Sequence, residues 1–297
     1  MITGSAGLVG SALIHELRAR KCVIRTLDLR DPGEGRGDVR DPESVRGALA
    51  GCDGVVHLAA VSRVVWGERD PVACRSTNID GVRTVLDAAL AAPVRPWLVF
   101  ASSREVYGQP VRLPADEETP LAPINTYGRT KAIGERMIDE ARDLGLRAAI
   151  VRLSNVYGGV ADHRDRVIPA FTRAAALGEP LHVEGPDHTF DFTHIRDTVR
   201  GIALLVDLLA SGESPPPPIH LLTGRPTSLG EAAALAVELA RSRSSVREAP
   251  PRDYDVARFH GSPARAWELL GWTPQVALRD GLAGMIADLR AEIGGAA

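Results

Sequence analysis

A tyrosine and a lysine four residues apart are the first candidates for chemistry in this sequence. Tyr127 and Lys131 begin and end a Tyr-Gly-Arg-Thr-Lys segment at the start of a predicted helix, and positions i and i+4 share one helix face. A phenol, with an ordinary pKa near ~10, is a poor base at neutral pH, but a nearby ammonium favours the phenolate. The pair can therefore remove a proton from a substrate hydroxyl.

A glycine-rich segment at the start of the chain predicts a site for a nucleotide diphosphate. Its glycines are spaced three apart, between a short apolar start and a predicted helix. This setting permits a tight turn, close approach of the backbone to a diphosphate and anion binding at the helix N-terminus. An ordinary tight turn is the simpler alternative. The predicted loop residues are Gly4, Gly7, Leu8, Val9 and Gly10.

An acidic residue indicates which dinucleotide this loop binds. Asp28 ends the second predicted strand, where a carboxylate accepts hydrogen bonds from an adenosine ribose 2′-hydroxyl and repels a 2′-phosphate. This favours NAD over NADP. Arg30 lies close by and leaves NADP open, since a guanidinium can bind the phosphate, and a solvated turn residue is the plainer interpretation of Asp28.

Short apolar runs alternate with helical patterns up to about residue 155, which is typical of a parallel sheet covered on both faces. With right-handed crossovers this predicts an α/β fold with a doubly wound, Rossmann-like sheet. Ligands of such sheets bind at the carboxyl ends of the strands, where Ser102 and Ser103 follow the fourth run. The predicted strands are Cys22–Leu27, Gly54–Leu58, Trp97–Phe100 and Ala148–Val151, and the predicted helices are Leu8–Arg18, Asn78–Ala92 and Thr126–Leu144.

The pattern changes after residue 155, where glycine and proline become frequent. We interpret residues 1–155 as a dinucleotide-binding domain and residues 156–297 mainly as a smaller lobe at the carboxyl end of the sheet that binds the substrate, with some later segments completing the sheet. Only two residues precede Thr3, so the first strand is short or the natural chain begins before this sequence. The helical patterns of the second part are Val167–Leu177, Ile195–Leu209, Ser228–Arg241 and Leu278–Ile293.

The composition of the 297 residues excludes several classes of protein. Hydrophobic residues make 44% and charged residues 25% of the chain, as in folded soluble domains, and we expect neither a membrane span nor a signal segment. A formal net charge of −3 with scattered basic residues argues against a nucleic-acid surface. Three isolated cysteines argue against disulfides and a zinc site, and predict a cytoplasmic protein without a metal.

Motifs spread over nearly the whole chain resemble the extended short-chain dehydrogenase/reductases, in particular the NAD-dependent nucleotide-sugar epimerases and dehydratases. Together these motifs are highly specific to the superfamily and far less specific to a reaction. The segments that carry the resemblance are Thr3–Gly10, Gly37–Asp41, His57–Ala60, Ser102–Gly108, Tyr127 with Lys131, Arg152–Gly158, Asp191–His194 and Leu269–Pro274.

The resemblance implies a role for each matching position. Ser103, Tyr127 and Lys131 would form the catalytic triad, Asn155 would contact the substrate, and Arg252 would grip the nucleotide diphosphate. Helices equivalent to those predicted at 78–92 and 126–144 form a homodimer interface in the family. The residues implied beside the adenine or along the cofactor channel are Asp38, Val39, Leu58, Ala59 and Ala60.

The resemblance also implies a shared first step, in which the C4 hydroxyl of a nucleotide-bound sugar loses its proton to Tyr127 and its hydride to NAD. The resulting 4-ketone has three fates. An epimerase lets it rotate and returns the hydride to the other face. A dehydratase removes the C5 proton with a glutamate and protonates the departing C6 oxygen, whereas a decarboxylase releases carbon dioxide from a C6 carboxylate.

The stretch Ser103-Arg104-Glu105 distinguishes these fates. Glu105 matches the base of the sugar 4,6-dehydratases, but Arg104 stands where they carry an acid, and an arginine cannot donate a proton at neutral pH. Decarboxylases and some 5,6-dehydratases also carry a glutamate at position 105. The alternative for Glu105 is a carboxylate at the rim of the site, paired with Arg104. Phe190 stands where the family often has an arginine that contacts the diphosphate.

We therefore predict an NAD-dependent enzyme that acts on a nucleotide sugar, with C4 epimerisation of a UDP-sugar favoured. A dehydratase or uronate decarboxylase that uses Glu105, and a 4-keto-sugar reductase, are the alternatives among enzymes. A dinucleotide-binding sensor that kept the fold is the alternative outside them, and the intact Ser103, Tyr127 and Lys131 argue against it.

Overall fold

A computed structural model describes residues 1–159 and 162–295. The strands within these ranges belong to one large and two small sheets. They are β1 (Ile2–Thr3), β2 (Thr26–Leu27), β3 (Gly54–His57), β4 (Trp97–Ser103), β5 (Ala148–Leu153), β6 (Asn155–Tyr157), β7 (Leu181–Glu184), β8 (Thr189–His194), β9 (Ile219–Leu221), β10 (Pro226–Ser228) and β11 (Val246–Ala249).

The helices cover both faces of the large sheet and fill the second lobe. None of them is long and apolar enough to cross a membrane. They are α1 (Leu8–Ala19), α2 (Pro42–Leu49), α3 (Val64–Arg69), α4 (Pro71–Arg75), α5 (Gly81–Ala91), α6 (Thr126–Asp143), α7 (Val167–Leu177), α8 (Ile195–Ala210), α9 (Leu229–Leu239), α10 (Ala264–Leu270) and α11 (Leu278–Gly295).

The large sheet has the strand order β2-β1-β3-β4-β5-β9 and is parallel throughout, which confirms the predicted doubly wound fold. Alternate residues of β4 enter different hydrophobic clusters. Leu98 and Phe100 pack with α2, α5 and α6, whereas Val99 and Ala101 pack with α1 and α8. Because both faces are buried, these strands are apolar at nearly every position, and this made them recognisable in the sequence.

The second lobe contains two small sheets, with β8 between β6 and β10, and β7 paired with β11. Their buried residues pack against α7, α9 and α11 in a separate hydrophobic cluster. Two later elements belong to the large sheet instead: β9 pairs with β5, and residues of α8 share a cluster with α1. The chain therefore returns to the first domain after residue 155.

Several predicted elements differ in their bounds by one to three residues, and two differ by more. The strand predicted over Cys22–Leu27 is reduced to Thr26–Leu27, because its neighbour in the sheet, β1, offers only two residues for pairing. The helix predicted from Asn78 follows helical structure that begins at Pro71, where the Asp70 carboxylate accepts a hydrogen bond from the Ala73 N–H. Asn78 itself lies in a π-helical turn, Ser76–Asp80, that joins α4 to α5.

Gly134 sets the distance between α6 and β4. A Cβ at this position would lie 2.6 Å from Cζ of Phe100, whereas a Cβ on Gly47 of α2 would meet nothing within 4 Å. We expect Gly134→Ala to lower the free energy of unfolding by about 1–3 kcal/mol through overpacking. The matched control, Gly47→Ala, should raise it by about 0.5–1 kcal/mol through helix propensity. Urea unfolding measures both changes, and stabilisation by Gly134→Ala would contradict the close packing.

Candidate active site

A large cavity of ≈ 750 Å³ lies at the carboxyl ends of the main-sheet strands, between the sheet and the second lobe. It brings together all the site residues predicted from the sequence, and their individual roles stay predictions. Those on the sheet side are Gly4, Gly7, Leu8, Val9, Gly10, Asp28, Asp38, Val39, Leu58, Ala59, Ala60, Ser103, Glu105, Tyr127 and Lys131, and those towards the lobe are Asn155 and Arg252.

The glycine loop forms a cradle in which side chains have no room. Gly4 has a positive φ of 68°, and a Cβ there would lie 2.7 Å from the Ala59 nitrogen. A Cβ on Gly10 would lie 2.2 Å from the Gly4 carbonyl oxygen. Helix α1 begins directly after Gly7 with no side-chain cap and no acid in its first turn. A bare helix N-terminus behind a glycine cradle fits the diphosphate of a dinucleotide.

Asp28 is buried rather than solvated, so the plainer interpretation of this residue is wrong. One carboxylate oxygen accepts a hydrogen bond of 3.0 Å from the Ala6 N–H in the glycine loop. The other accepts one of 2.8 Å from the Arg30 N–H, and the Arg30 Nε lies 3.6 Å away. Asp28 therefore holds the shape of the loop as well as offering its carboxylate to the cavity.

The part of the cavity that we predict to hold the adenine is built from backbone that is tied to β1 and β3. The Thr3 hydroxyl accepts hydrogen bonds of 3.2 Å from the N–H groups of both Leu58 and Ala59. Val39 is buried, and a Cβ on Gly81 would lie 2.8 Å from its side chain. Asp38 pairs with Arg40 at 2.5 Å, and this hydrogen-bonded ion pair lowers the pKa of the Asp38 carboxyl. Cofactor-facing segments are thus fixed before a ligand binds.

The first turn of α6 carries the Tyr–Lys pair and is anchored from three sides. The Asn125 side chain caps the helix by accepting a hydrogen bond of 2.8 Å from the Gly128 N–H. The buried Asn78 amide donates to the Thr130 hydroxyl at 2.9 Å. The Lys131 ammonium donates to the Ala101 carbonyl oxygen of β4 at 2.8 Å. The helix and the end of β4 therefore form one rigid unit.

Burial dominates the electrostatics of the pair. It raises the pKa of Tyr127 to about 12, against a hydrogen bond from Ser103 that lowers it, and it lowers the pKa of Lys131 to about 8. The Lys131 ammonium lies 5.9 Å from the centre of the Tyr127 ring. Desolvation therefore outweighs the groups that favour the phenolate in the protein alone. A cationic nicotinamide ring beside the phenol would favour the phenolate further.

Glu105 and Arg104 are paired, but not at the rim. Both side chains are buried, with Arg104 Nη2 2.7 Å from Glu105 Oε1. The Asn125 amide donates to the other carboxylate oxygen at 2.7 Å. The pair is buried because the Arg104 guanidinium lies against the rings of Phe190 and Phe259, 4.7 and 5.6 Å from their centres. Glu105 is consequently held by two donors and is not a free base.

The two residues predicted to bind the substrate, Asn155 and Arg252, differ in how many of their polar atoms already have partners. The Asn155 side-chain oxygen accepts a hydrogen bond of 3.2 Å from Arg104 Nε. Arg252 Nε lies 2.8 Å from Asp255 and 3.3 Å from Glu184. Across residues 1–159 and 162–295 the two terminal nitrogens of Arg252 make no hydrogen bond, so they are left for an anion such as a diphosphate.

Sequence reasoning missed a buried polar network behind the catalytic helix. Glu135 accepts a hydrogen bond of 2.5 Å from the Ser102 hydroxyl and pairs with Arg152 at 2.7 Å. Arg152 also donates to the Tyr107 hydroxyl at 2.6 Å. The network ties β4, β5 and α6 together. The sequence did contain one indication of this network. Arg152 directly follows the apolar run of β5, and an arginine buried at such a position requires a partner of opposite charge.

Known proteins share both the motifs and the fold of this chain. Residues 1–217 match the NAD dependent epimerase/dehydratase family. A UDP-glucose 4-epimerase of Rhizobium meliloti is 32% identical, over 93% of this chain and 92% of its own length. The UDP-glucose 4-epimerase of Thermotoga maritima, solved with UDP-glucose, has a TM-score of 0.90 at 26% identity, covering 98% of each chain. MoeE5, solved with UDP-glucuronic acid and NAD, has a TM-score of 0.89 at 28% identity, again over 98% of each chain.

The matched region includes the glycine loop, Ser103, Tyr127 and Lys131, and the similarity to the Rhizobium protein continues through the second lobe. The resemblance seen in the motifs is thereby confirmed. The chain belongs to the NAD dependent epimerase/dehydratase family, and it is an NAD-dependent enzyme of the isomerase or lyase kind.

Proposed function

We propose that this protein is a C4 epimerase of UDP-sugars that works through a transient 4-keto sugar beside a retained NAD. One observation carries the proposal: Ser103, Tyr127 and Lys131 line the same cavity as the glycine cradle. A dinucleotide whose diphosphate lies in the cradle can extend its nicotinamide towards these three side chains. A sugar hydroxyl bound beside that ring would then meet Tyr127 as its proton acceptor. The 4-epimerase activity of two similar proteins supports the same conclusion.

Each side chain has a defined part in this reaction. Tyr127 takes the proton of the C4 hydroxyl, while the Ser103 hydroxyl donates a hydrogen bond to the same oxygen. Lys131, fixed by the Ala101 carbonyl, places its positive charge beside the phenol. NAD, held by the glycine cradle, would supply the chemistry that side chains lack, as the acceptor and donor of the C4 hydride. Between the two transfers the ketone turns its other face, and Tyr127 then returns the proton to its oxygen.

The surroundings of Glu105 favour epimerisation over elimination. A dehydratase needs a free base near C5 and a proton donor near C6. Glu105 is already bound by Arg104 and Asn125, and Arg104 cannot supply a proton at neutral pH. A decarboxylase or dehydratase that uses Glu105 remains the second candidate, because Glu105 lines the cavity only two residues from Ser103.

We also propose that residues 1–155, with the later strand and helix that complete the sheet, hold the dinucleotide, and that the remaining lobe holds the UDP-sugar. Arg252 would bind the diphosphate of the sugar nucleotide from the lobe through its free terminal nitrogens. This division gives the second lobe a function: it binds the nucleotide while the sugar reaches Tyr127.

Replacing Tyr127 by phenylalanine tests the proposed base. Tyr127→Phe should lower turnover by about 10²–10⁴-fold and leave bound NAD unchanged, because the ring still fills its buried position but no longer accepts a proton. Conversion of UDP-glucose to UDP-galactose is measured by chromatography without added cofactor, and NAD is measured after release from denatured protein.

Tyr107→Phe is the matched control, since Tyr107 is also buried but lies outside the cavity wall. It should lower stability rather than turnover. Unchanged turnover in Tyr127→Phe would contradict the proposal. Net consumption of cofactor by the native protein would indicate a 4-keto-sugar reductase, and bound NAD with no conversion of any UDP-sugar would indicate a sensor.

Replacing Glu105 by glutamine separates the two candidates. Glu105→Gln keeps an acceptor for Arg104 but removes the base, so an epimerase should lose less than about tenfold in turnover and form the same product. A loss of about 10²-fold or more, with hydride still removed from C4, would establish a dehydratase or decarboxylase. Product masses identify which of the two.

We propose that the protein is a homodimer formed through α5 and α6. The exposed side chains of these helices include charges of both signs, such as Arg83 and Asp87 on α5 and Arg136 and Glu140 on α6. Sedimentation equilibrium of the full chain should give a species of two chains. The double variant Arg83→Glu with Arg136→Glu should shift it towards one chain, and a native protein that is monomeric at micromolar concentration would refute the dimer.

A further inference from the structure

Arg104 has an unused hydrogen-bond donor in the wall of the cavity. The residue is 6% exposed and directly follows Ser103. Its Nε donates to Asn155 and its Nη2 binds Glu105. Its Nη1 is buried and has no partner among the residues that the structure describes. A charged donor that is buried without a partner costs free energy, so this nitrogen indicates a ligand.

The environment fixes the guanidinium in one orientation. Its plane lies near two aromatic rings, Phe190 at 4.7 Å and Phe259 at 5.6 Å, an arrangement in which cation–π attraction holds the group and excludes water. Only the edge of the guanidinium remains for hydrogen bonds. A contact with Nη1 would form in a medium of low dielectric constant, where it is strong.

The location places this donor at the sugar end of the cavity. Ser103, Asn155 and Phe190 line the cavity together with Arg104. Ser103 is the group proposed to bind the reacting oxygen. A substituent of the sugar ring next to C4 is therefore the part of the substrate that can meet Arg104.

Glu105 does not need the third nitrogen of Arg104. Its carboxylate already has a donor on each oxygen, Arg104 on one and the Asn125 amide on the other. A planar guanidinium can bind two carboxylates through different nitrogens. A sugar hydroxyl would also accept from Nη1, but a charge-assisted hydrogen bond is roughly twice as strong as a neutral one.

We infer that Arg104 is a specificity-determining residue that binds the C6 carboxylate of a UDP-linked uronic acid. The inference rests on the proposed function and names its substrate class: uronic acids in preference to neutral hexoses. Binding to a cation also stabilises the ionised carboxylate. The 4-keto sugar therefore resists loss of carbon dioxide, which fits epimerisation at C4 with C6 retained.

A ratio of catalytic efficiencies tests the inference, because a general loss of folding or activity cancels in it. The native protein should have a kcat/KM at least about tenfold higher for UDP-glucuronic acid than for UDP-glucose, as one charged hydrogen bond provides. The double variant Arg104→Gln with Glu105→Gln should bring this ratio close to one. Both residues are changed because Arg104→Gln alone would leave Glu105 buried without its counter-charge.

The double variant Arg46→Gln with Glu43→Gln is the matched control, since it removes another Arg–Glu ion pair, which is exposed on α2 and outside the cavity wall. Its ratio should equal that of the native protein. A native ratio of one or below, or an unchanged ratio in the double variant, would overturn the inference.

Binding provides a second measurement that does not depend on turnover. Calorimetry in the Tyr127→Phe background should give a Kd for UDP-glucuronic acid at least about tenfold below that for UDP-glucose, and the double variant should remove this difference. A binding preference without turnover of any UDP-sugar would refute the proposed function and keep the role of Arg104. Turnover of UDP-glucose with equal binding of both sugars would keep the proposed function and refute the role of Arg104. Release of a UDP-pentose from UDP-glucuronic acid would refute epimerisation but not the carboxylate contact.

Discussion

The contact between the first turn of α6 and the end of β4 determines the rest of the site. Lys131 crosses it to donate to the Ala101 carbonyl at 2.8 Å, and Tyr127 lies on the same turn. This approach is close because glycines face β4 and the turn that follows it: a Cβ on Gly128 would lie 2.5 Å from the Glu105 carbonyl oxygen. The distance from Tyr127 to Ser103 is therefore set by backbone packing rather than by flexible side chains.

Such close packing has an electrostatic cost that the fold alone does not offset. Burial disfavours the charged forms of both groups, which raises the pKa of Tyr127 to about 12 and lowers that of Lys131 to about 8. A cation beside the phenol would lower the pKa of Tyr127 again, because it favours the phenolate. In the proposed reaction, binding of the cationic NAD and ionisation of Tyr127 are therefore coupled.

Sequence reasoning succeeded where a local pattern reflects a local cause. The glycine spacing and the apolar runs of β3, β4 and β5 were recognised because turn geometry and burial on both faces constrain consecutive residues. It failed where a distant neighbour decides. The pattern of residues 22–25 is that of a strand, but the two residues of β1 pair with Thr26 and Leu27 and leave residues 22–25 without a partner strand. Likewise, the sequence allowed a rim position for Glu105. Its partner Arg104 is buried by Phe190 and Phe259, which are far away in the sequence, so local reasoning could not detect the burial.

Two buried arginines, each paired with a glutamate, differ in how many of their nitrogens have hydrogen-bond partners. Arg152 uses all three of its nitrogens, on Glu135, on the Tyr107 hydroxyl and on the Glu117 carbonyl, and it lies outside the cavity wall. Arg104 is equally buried and lies in that wall, yet one of its nitrogens has no partner in the described residues. Other buried polar atoms of the described residues also lack a partner, but Arg104 is a charged group in the cavity wall, where an unmet donor costs most. Arg152 therefore ties strands and helix together, whereas the unpartnered nitrogen of Arg104 is the feature on which its proposed role in substrate recognition rests.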